Sequence, residues 1–389
     1  MARSAKQGGA GLFFCPARKK GVYTMKRTMN SSRMISRRNF LQAAALSAAA
    51  LSAMALTGCG SSGSGTASSA AAGSGAASGG TTYKVGIVNY VDDASLNQIV
   101  ASVEARLDEV GAERGVTFNY ADYYSNAQAD QSNLNQIGAD LVADDVDVIV
   151  AVATPSASTM LAAVEDTDIP VIYSAVTDPV GAGFDTLTNM TGTSDALNTE
   201  AIMNMILAVN PGITEIGLLY DLGQDSSTQA IADAKAFCDE NGISYVEKNG
   251  TTTAEVQMAV EALAAAGVKV VFTPTDNTIM TAELAIYETM IEAGMQHYTG
   301  ADSFALNGAL LGYGVDYVQL GEATADMVAE LLCDGKTPAE LPYRTFDNGI
   351  ATINTETCAA LGLDYDTLAA AFEPYCTEVQ PIATAEAFE

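Results

Sequence analysis

The chain has 389 residues, carries 47 Asp and Glu against 18 Lys and Arg for a formal net charge of −29, and contains one histidine. So acidic a surface repels phosphate backbones and anionic headgroups, which sets aside nucleic acid as a partner and any membrane attachment held by charge alone. Six cysteines without a C-x-x-C pair offer no Cys/His zinc set. With His297 alone and no G-x-S-x-G elbow there is no hydrolytic triad. An enzyme is therefore not expected, and neither is a cofactor or a metal.

The charge is unevenly placed. No Asp or Glu precedes Cys59, and ten of the basic residues do, so the remainder holds 8 Lys and Arg against 47 acids, a net of −39. Residues 34–59 read as a secretory signal: a basic start, an apolar run over 41–56, then Leu56-Thr57-Gly58-Cys59. That run is interrupted by Gln42, Ser47 and Ser52 and is shorter than the roughly 20 apolar residues of a spanning helix. Leu56-Thr57-Gly58-Cys59 has the form of a lipobox, which makes Cys59 the lipidation site and places the mature protein outside the cytoplasm on a lipid anchor. Ser36-Arg37-Arg38-Asn39-Phe40-Leu41 also resembles the twin-arginine export motif, and Met25, Met29 and Met34 all offer starts, so the export route and the first residue stay open. Residues 60–82 are almost entirely Gly, Ser, Ala and Thr, a flexible tether with a reach of ~25 Å.

From residue 83 onward strand and helix patterns alternate. Strands are predicted at 84–90, 117–123, 146–152 and 170–175. Between the first two, apolar residues at 96, 99, 100, 103, 107 and 110 predict a helix ending at Gly111. After Pro211 the rhythm restarts: strands at 215–220, 244–248, 268–273 and 297–301 alternate with helices, including one over 279–293. Two α/β runs imply two lobes with parallel sheets, and ligands of such sheets sit beyond the carboxyl ends of the strands. Of the cysteines in the body, Cys358 and Cys376 are candidates for a disulfide or for two small buried apolar residues.

The predicted strand ends carry a recurring set of short polar groups. They are Asn89 and Tyr90; Thr154 and Ser156; Thr177 and Asp178; Asp195; Tyr220 and Ser226; Asp276 and Asn277; and Asp302. Any one of them suits a helix N-cap, but their recurrence at each expected edge marks a site. Hydroxyls and helix N-terminal amides suit a carboxylate, an Asp suits an ammonium, and no Lys or Arg occurs in these loops. A small zwitterion such as an amino acid fits this chemistry. Thr154, Ser156 and Thr177 would hold its carboxylate, Asp276 or Asp178 its ammonium, and Tyr90 or Tyr220 would offer an aromatic face.

Ala153-Thr154-Pro155-Ser156-Ala157, Thr177-Asp178-Pro179-Val180-Gly181, Thr191-Gly192-Thr193-Ser194-Asp195, Pro274-Thr275-Asp276-Asn277 and Gly314-Val315-Asp316-Tyr317 resemble, in this order, the TrpX-type substrate-binding proteins of ABC transporters. The resemblance covers most of 83–350 and departs from the family at Tyr220-Asp221-Leu222-Gly223, where Asn-Pro is common. It implies a type I periplasmic-binding-protein architecture, two Rossmann-like lobes joined by three hinge crossings near Ser194, Gly314 and Leu341. Lobe 1 would comprise 83–195 and 315–340, and lobe 2 would comprise 196–314 and 341–389. The implied partners are a small solute, aromatic by analogy with members that bind tryptophan, and an ABC permease with its ATPase. A sensor component of the same fold is the alternative.

Overall fold

The computed structural model describes residues 80–346 and 349–388, so the signal segment, Cys59 and nearly all of the tether lie outside the described residues. Among the described residues no helix is long and apolar enough to cross a membrane.

The first half of the chain lays down β1 (Thr82–Asn89), α1 (Ala94–Arg114), β2 (Thr117–Asn119), β3 (Tyr124–Asn126), α2 (Gln131–Ala143), β4 (Val148–Val152), α3 (Thr154–Ala163), β5 (Val171–Ser174) and β6 (Met190–Ser194). β4, with the sequence VIVAV, is buried at every position, as a strand covered on both faces must be. The predicted strand at 117–123 is instead two short strands, β2 and β3, both paired with β1. A turn at residues 120–123 separates them, closed by the Tyr123 amide on the Tyr120 carbonyl at 2.9 Å and by Asn119 Nδ2 on Asp122 Oδ2 at 3.0 Å.

α1 does not stop at Gly111. It runs one more turn to a left-handed Gly115 (φ 68°), which a side chain would strain. Gly111 serves packing instead, because a Cβ there would press on the Val116 carbonyl at 3.0 Å.

The second half adds α4 (Thr199–Val209), β7 (Glu215–Tyr220), α5 (Asp225–Asn241), β8 (Ser244–Asn249), α6 (Thr253–Ala266), β9 (Val270–Thr273), α7 (Asn277–Glu292), β10 (Gln296–Thr299), α8 (Asp302–Leu306) and β11 (Leu311–Gly314). Then come α9 (Tyr317–Leu332), β12 (Arg344–Thr345), β13 (Ile350–Asn354), α10 (Thr355–Ala360), α11 (Tyr365–Phe372) and β14 (Glu378–Ile382).

Two seven-stranded sheets result. One has the order β12-β6-β5-β4-β1-β2 with β3 also on β1, and the other has the order β14-β13-β11-β10-β9-β7-β8. All pairings are parallel except β11 with β13. This is the two-lobed, parallel-dominated α/β architecture that the resemblance implied.

The chain passes between the sheets after β6 and again after β11, from which α9 returns to pack on α1, β5 and β6. The third passage follows β12, which pairs with β6 through Arg344↔Thr193. Leu341 thus lies before the last strand of the first sheet, with its carbonyl accepting the Thr191 hydroxyl at 2.6 Å.

Cys238, Cys333, Cys358 and Cys376 are free thiols. In β6, Gly192 faces Tyr173 of β5 so closely that a Cβ would collide with the Tyr173 carbonyl and ring. Gly192→Ala should cost about 3 kcal/mol or more through overpacking, read as a lowered or lost cooperative melting transition.

Candidate functional site

The carboxyl ends of the two sheets face each other, and their loops meet. Ser95 Oγ, at the start of α1, donates to Asp302 Oδ1 of α8 at 2.7 Å and accepts the Ser303 amide at 3.3 Å. Thr177 Oγ1, beyond β5, stands 3.2 Å from Thr275 Oγ1, beyond β9. The Thr177 proton goes to Asp195 Oδ1 at 3.0 Å, so Thr275 is the donor in the hydroxyl pair. Each contact joins a segment of one lobe to a segment of the other, so the lobes are closed. Between them lies a narrow cavity, with room of about 20 Å³ in this closed form.

Its walls divide by chemistry. Thr154 and Ser226 face it from the first turns of α3 and α5. Both are buried, and their hydroxyl oxygens have no hydrogen-bond partner, a state that costs about 1–3 kcal/mol per group. Neither helix has a side-chain cap, whereas α1, α7 and α9 are capped by Asp93, Asp276 and Asp316. Two uncapped helix N-termini with free hydroxyls form a receptor for an anionic group.

The opposite chemistry lies near the crossings. Asp93 and Asp195 are buried, and Asp302 lies between the lobes with some solvent contact. Burial pushes each of the three carboxyl pKa values up to about 6, against smaller lowering by hydrogen bonds. The Tyr317 hydroxyl lies against Asp195, and burial first, then these three acids, hold it well above the usual phenol range. The ion pairs among the described residues include none of these carboxylates. The site therefore has an anionic end with no cationic side chain beside it and an opposite end of hydroxyls and helix N-termini suited to an anion. Leu96, Met280 and the alanines 153, 175 and 301 line the space between. Ala153 and Ala175 adopt left-handed φ of 73° and 56°, strain of the kind that concentrates at ligand sites.

Of the residues singled out in the sequence, Thr154, Thr177, Asp195, Ser226 and Asn277 line this cavity, and Asp302 reaches its wall through Ser95. Asn277 also donates to Gln224 Oε1 at 3.0 Å. Asn89 and Ser156 are fully buried just behind, with Asn89 Oδ1 and Ser156 Oγ unpartnered. Tyr90 is half-buried in a neighbouring groove at the mouth, with its hydroxyl toward Gln224 of the other lobe.

Three expectations are corrected. Asp276 has no free lone pair for an ammonium: Oδ1 accepts the Thr278 and Ile279 amides, and Oδ2 accepts the Asp221 amide and the Ser227 hydroxyl. Asp178 closes its own turn onto the Gly181 amide at 2.8 Å. Tyr220 turns away, with its hydroxyl on Glu247 Oε2 at 2.6 Å beside Lys235, and offers the cavity no ring.

Asp276→Ala should therefore act on stability. It should lower the melting temperature through loss of a helix cap worth about 1 kcal/mol and through newly orphaned donors.

Sequence reasoning missed Ser95, Leu96, Met280 and Tyr317. Ser95 and Tyr317 follow Asp93 and Asp316, which look like ordinary caps. Only the Asp-to-helix transitions at 93 and 316, set beside the others, signalled that these turns belong to the same edge.

A family model described as ABC transporter substrate binding protein matches residues 84–372. The tyrosine-binding protein of Clostridioides difficile strain R20291 is 29% identical over 284 residues, 72% of this chain and 81% of that protein. A solved ABC domain from Streptococcus pneumonia in complex with L-Trp is 27% identical with a TM-score of 0.67, covering 77% of this chain and all of that one. The ligand-free, open structure of a substrate-binding protein with adhesive properties from Clostridium difficile is 25% identical with a TM-score of 0.58, covering 78% and 100%.

Proposed function

The chain belongs to the family of ABC transporter substrate-binding proteins, and we propose that it captures a free amino acid between its lobes and presents it to a membrane permease. The family consists of binding proteins rather than enzymes. The observation that carries the reading is the polarity of the closed cavity. Uncompensated carboxylates stand at one end, and uncapped helix N-termini with unpartnered hydroxyls stand at the other.

An α-amino acid satisfies both ends. Its carboxylate would accept from Thr154 and Ser226 and the nearby amides of α3 and α5. Its ammonium would sit by Asp195 and Asp302, with Tyr317 positioning Asp195. Closure excludes water, and in the drier cavity each of these contacts strengthens. The described site has no cationic side chain, which favours a zwitterion over a multiply anionic solute, although backbone amides alone can hold an anion.

The tyrosine-binding and L-Trp-bound relatives favour an aromatic amino acid. The apolar lining of Leu96 and Met280, with Tyr90 at the mouth, agrees with that choice. Lipidation at Cys59 and the Gly/Ser/Ala tether would keep the capture domain outside the cytoplasm, near its permease.

A thermal-shift screen of the purified protein against the twenty amino acids should give stabilisation by one or a few, led by tyrosine or tryptophan. The matching 2-keto acid, which lacks the ammonium, should give none. Equal shifts with the keto acid would overturn the ammonium assignment. Incorporation of labelled fatty acid, lost in Cys59→Ser, tests the anchor.

A further inference from the structure

We propose that closure of the lobes is coupled to proton uptake: without a ligand the closed form is stable only in mild acid, and a bound ammonium takes the place of the protons at neutral pH. The first half of this needs no ligand. Only the second half rests on the amino-acid reading above.

The geometry carries it. Asp93 and Asp195 belong to lobe 1, and Asp302 belongs to lobe 2. The contact of Ser95 Oγ with Asp302 at 2.7 Å exists only when the lobes meet. Closing brings Asp302 within electrostatic reach of Asp93, and Ser303 lies against Asp93. The groups facing this cluster are all acidic or neutral. The α1 end supplies Asp93, the first crossing Asp195, α8 Asp302 and α9 the Tyr317 hydroxyl. Next along, the α7 end holds Asp276, with Asp221 beside it. The single histidine, His297, is inside lobe 2 on Glu283 and Thr273. The Thr154 and Ser226 hydroxyls face the same cavity without a protein hydrogen-bond partner.

The sign follows from burial. In the closed form the pKa values of Asp93, Asp195 and Asp302 stand near 6, above the ordinary carboxyl value of 3.8. The closed form therefore binds protons more tightly than an open form with these groups in water. Ligand-free closure is fully favoured at low pH and is lost as pH rises through about 6, by up to tenfold per pH unit for each proton taken up. An ammonium at the cluster reverses the sign, since it favours the ionised carboxylates.

Small-angle scattering of the full chain measures this directly. The ligand-free protein should be compact at pH 5 and extended at pH 7.5. Asp302→Asn should lose a large part of the expansion at pH 7.5, because the cross-lobe charge is gone while Asp93 and Asp195 still titrate. Ser95→Ala loses the cross-lobe bond but no charge, and should keep the pH response. Equal dimensions of the ligand-free protein at the two pH values would overturn the proposal, as would an undiminished pH response in both Asp302→Asn and Asp93→Asn. If the ligand-free protein does expand as expected but no amino acid compacts it at pH 7.5, the proton coupling stands and the amino-acid reading falls.

Discussion

Asp195→Ala should weaken amino-acid binding by about 30-fold or more, the loss expected when one member of a buried, hydrogen-bonded charge pair is truncated at a cost of roughly 2–5 kcal/mol. In the proposed binding mode the variant removes an anion from the ligand ammonium, and it also orphans the Thr177 hydroxyl, which donates to Asp195 at 3.0 Å. Asp195→Asn separates the two effects. An amide oxygen can still accept from Thr177, so the loss that remains is the loss of charge. The ligand-free protein should respond in the opposite direction. Burial in the closed form holds the Asp195 pKa near 6, so at pH 7.5 closing without a ligand buries a carboxylate charge that Asn removes. Isothermal titration should show affinity collapsing in Asp195→Asn while small-angle scattering shows the ligand-free variant more compact than the parent at pH 7.5. A variant that keeps its affinity would place the ammonium elsewhere, with Asp302 the next candidate. Loss of affinity together with easier ligand-free closure is the pattern expected of a group kept for binding.

His297→Ala should cost about 3–5 kcal/mol and lower the melting temperature by roughly 10 °C, although His297 touches no ligand-facing group. Its Nδ1 meets Glu283 Oε1 at 3.0 Å and its Nε2 meets Thr273 Oγ1 at 2.9 Å. The Thr273 hydroxyl donates to the Leu219 carbonyl at 2.9 Å, so it accepts from the imidazole. Glu283 has no exposed surface, and Oε2 has no partner, so His297 is what keeps the glutamate satisfied. Removing the histidine strands the acid in the core. The rescue is diagnostic: His297→Leu combined with Glu283→Leu should recover most of the stability, because replacing a buried polar pair by apolar groups is often neutral. Failure of the double variant to recover would assign the cost to packing against Phe304, whose ring lies edge-on to the imidazole with centroids 6.2 Å apart. The pair also bears on the site, since α7 carries Glu283 and, one and two turns earlier, Met280 and Asn277 of the cavity wall.

Both predictions rest on residues whose importance was unevenly visible in the sequence. Asp195 stands in a recurring pattern of polar strand ends and was readable as a site residue. Glu283 and His297 lie 14 positions apart within ordinary helix and strand patterns, and nothing local marks them as partners. The single histidine drew notice only as an unlikely catalyst.

What the sequence by itself determined is the local and periodic part. β-branched runs such as 148–152, helical spacing of apolar residues over 96–110, and breaks at Gly and Pro placed most elements of both lobes. They also placed the ligand-facing edge, because hydrophobic period and turn chemistry are encoded residue by residue. The order of short motifs from Thr154 to Tyr317 carried the family. What the tertiary structure decided is which of the polar atoms on that edge are free. Asp276 looked like an ammonium ligand, yet Asp221 and Ser227, about fifty residues upstream, use its second oxygen. Tyr220 looked like an aromatic wall until Glu247 on the next strand drew its hydroxyl away. Ser95 and Tyr317 lie in ordinary first helical turns, and only the closed tertiary structure puts them beside Asp302 and Asp195. Two hydrogen bonds saturate a carboxylate oxygen, and the donors that complete the pair on Asp276 Oδ2 come from segments distant in the chain, so no local pattern could tell a spent oxygen from a free one.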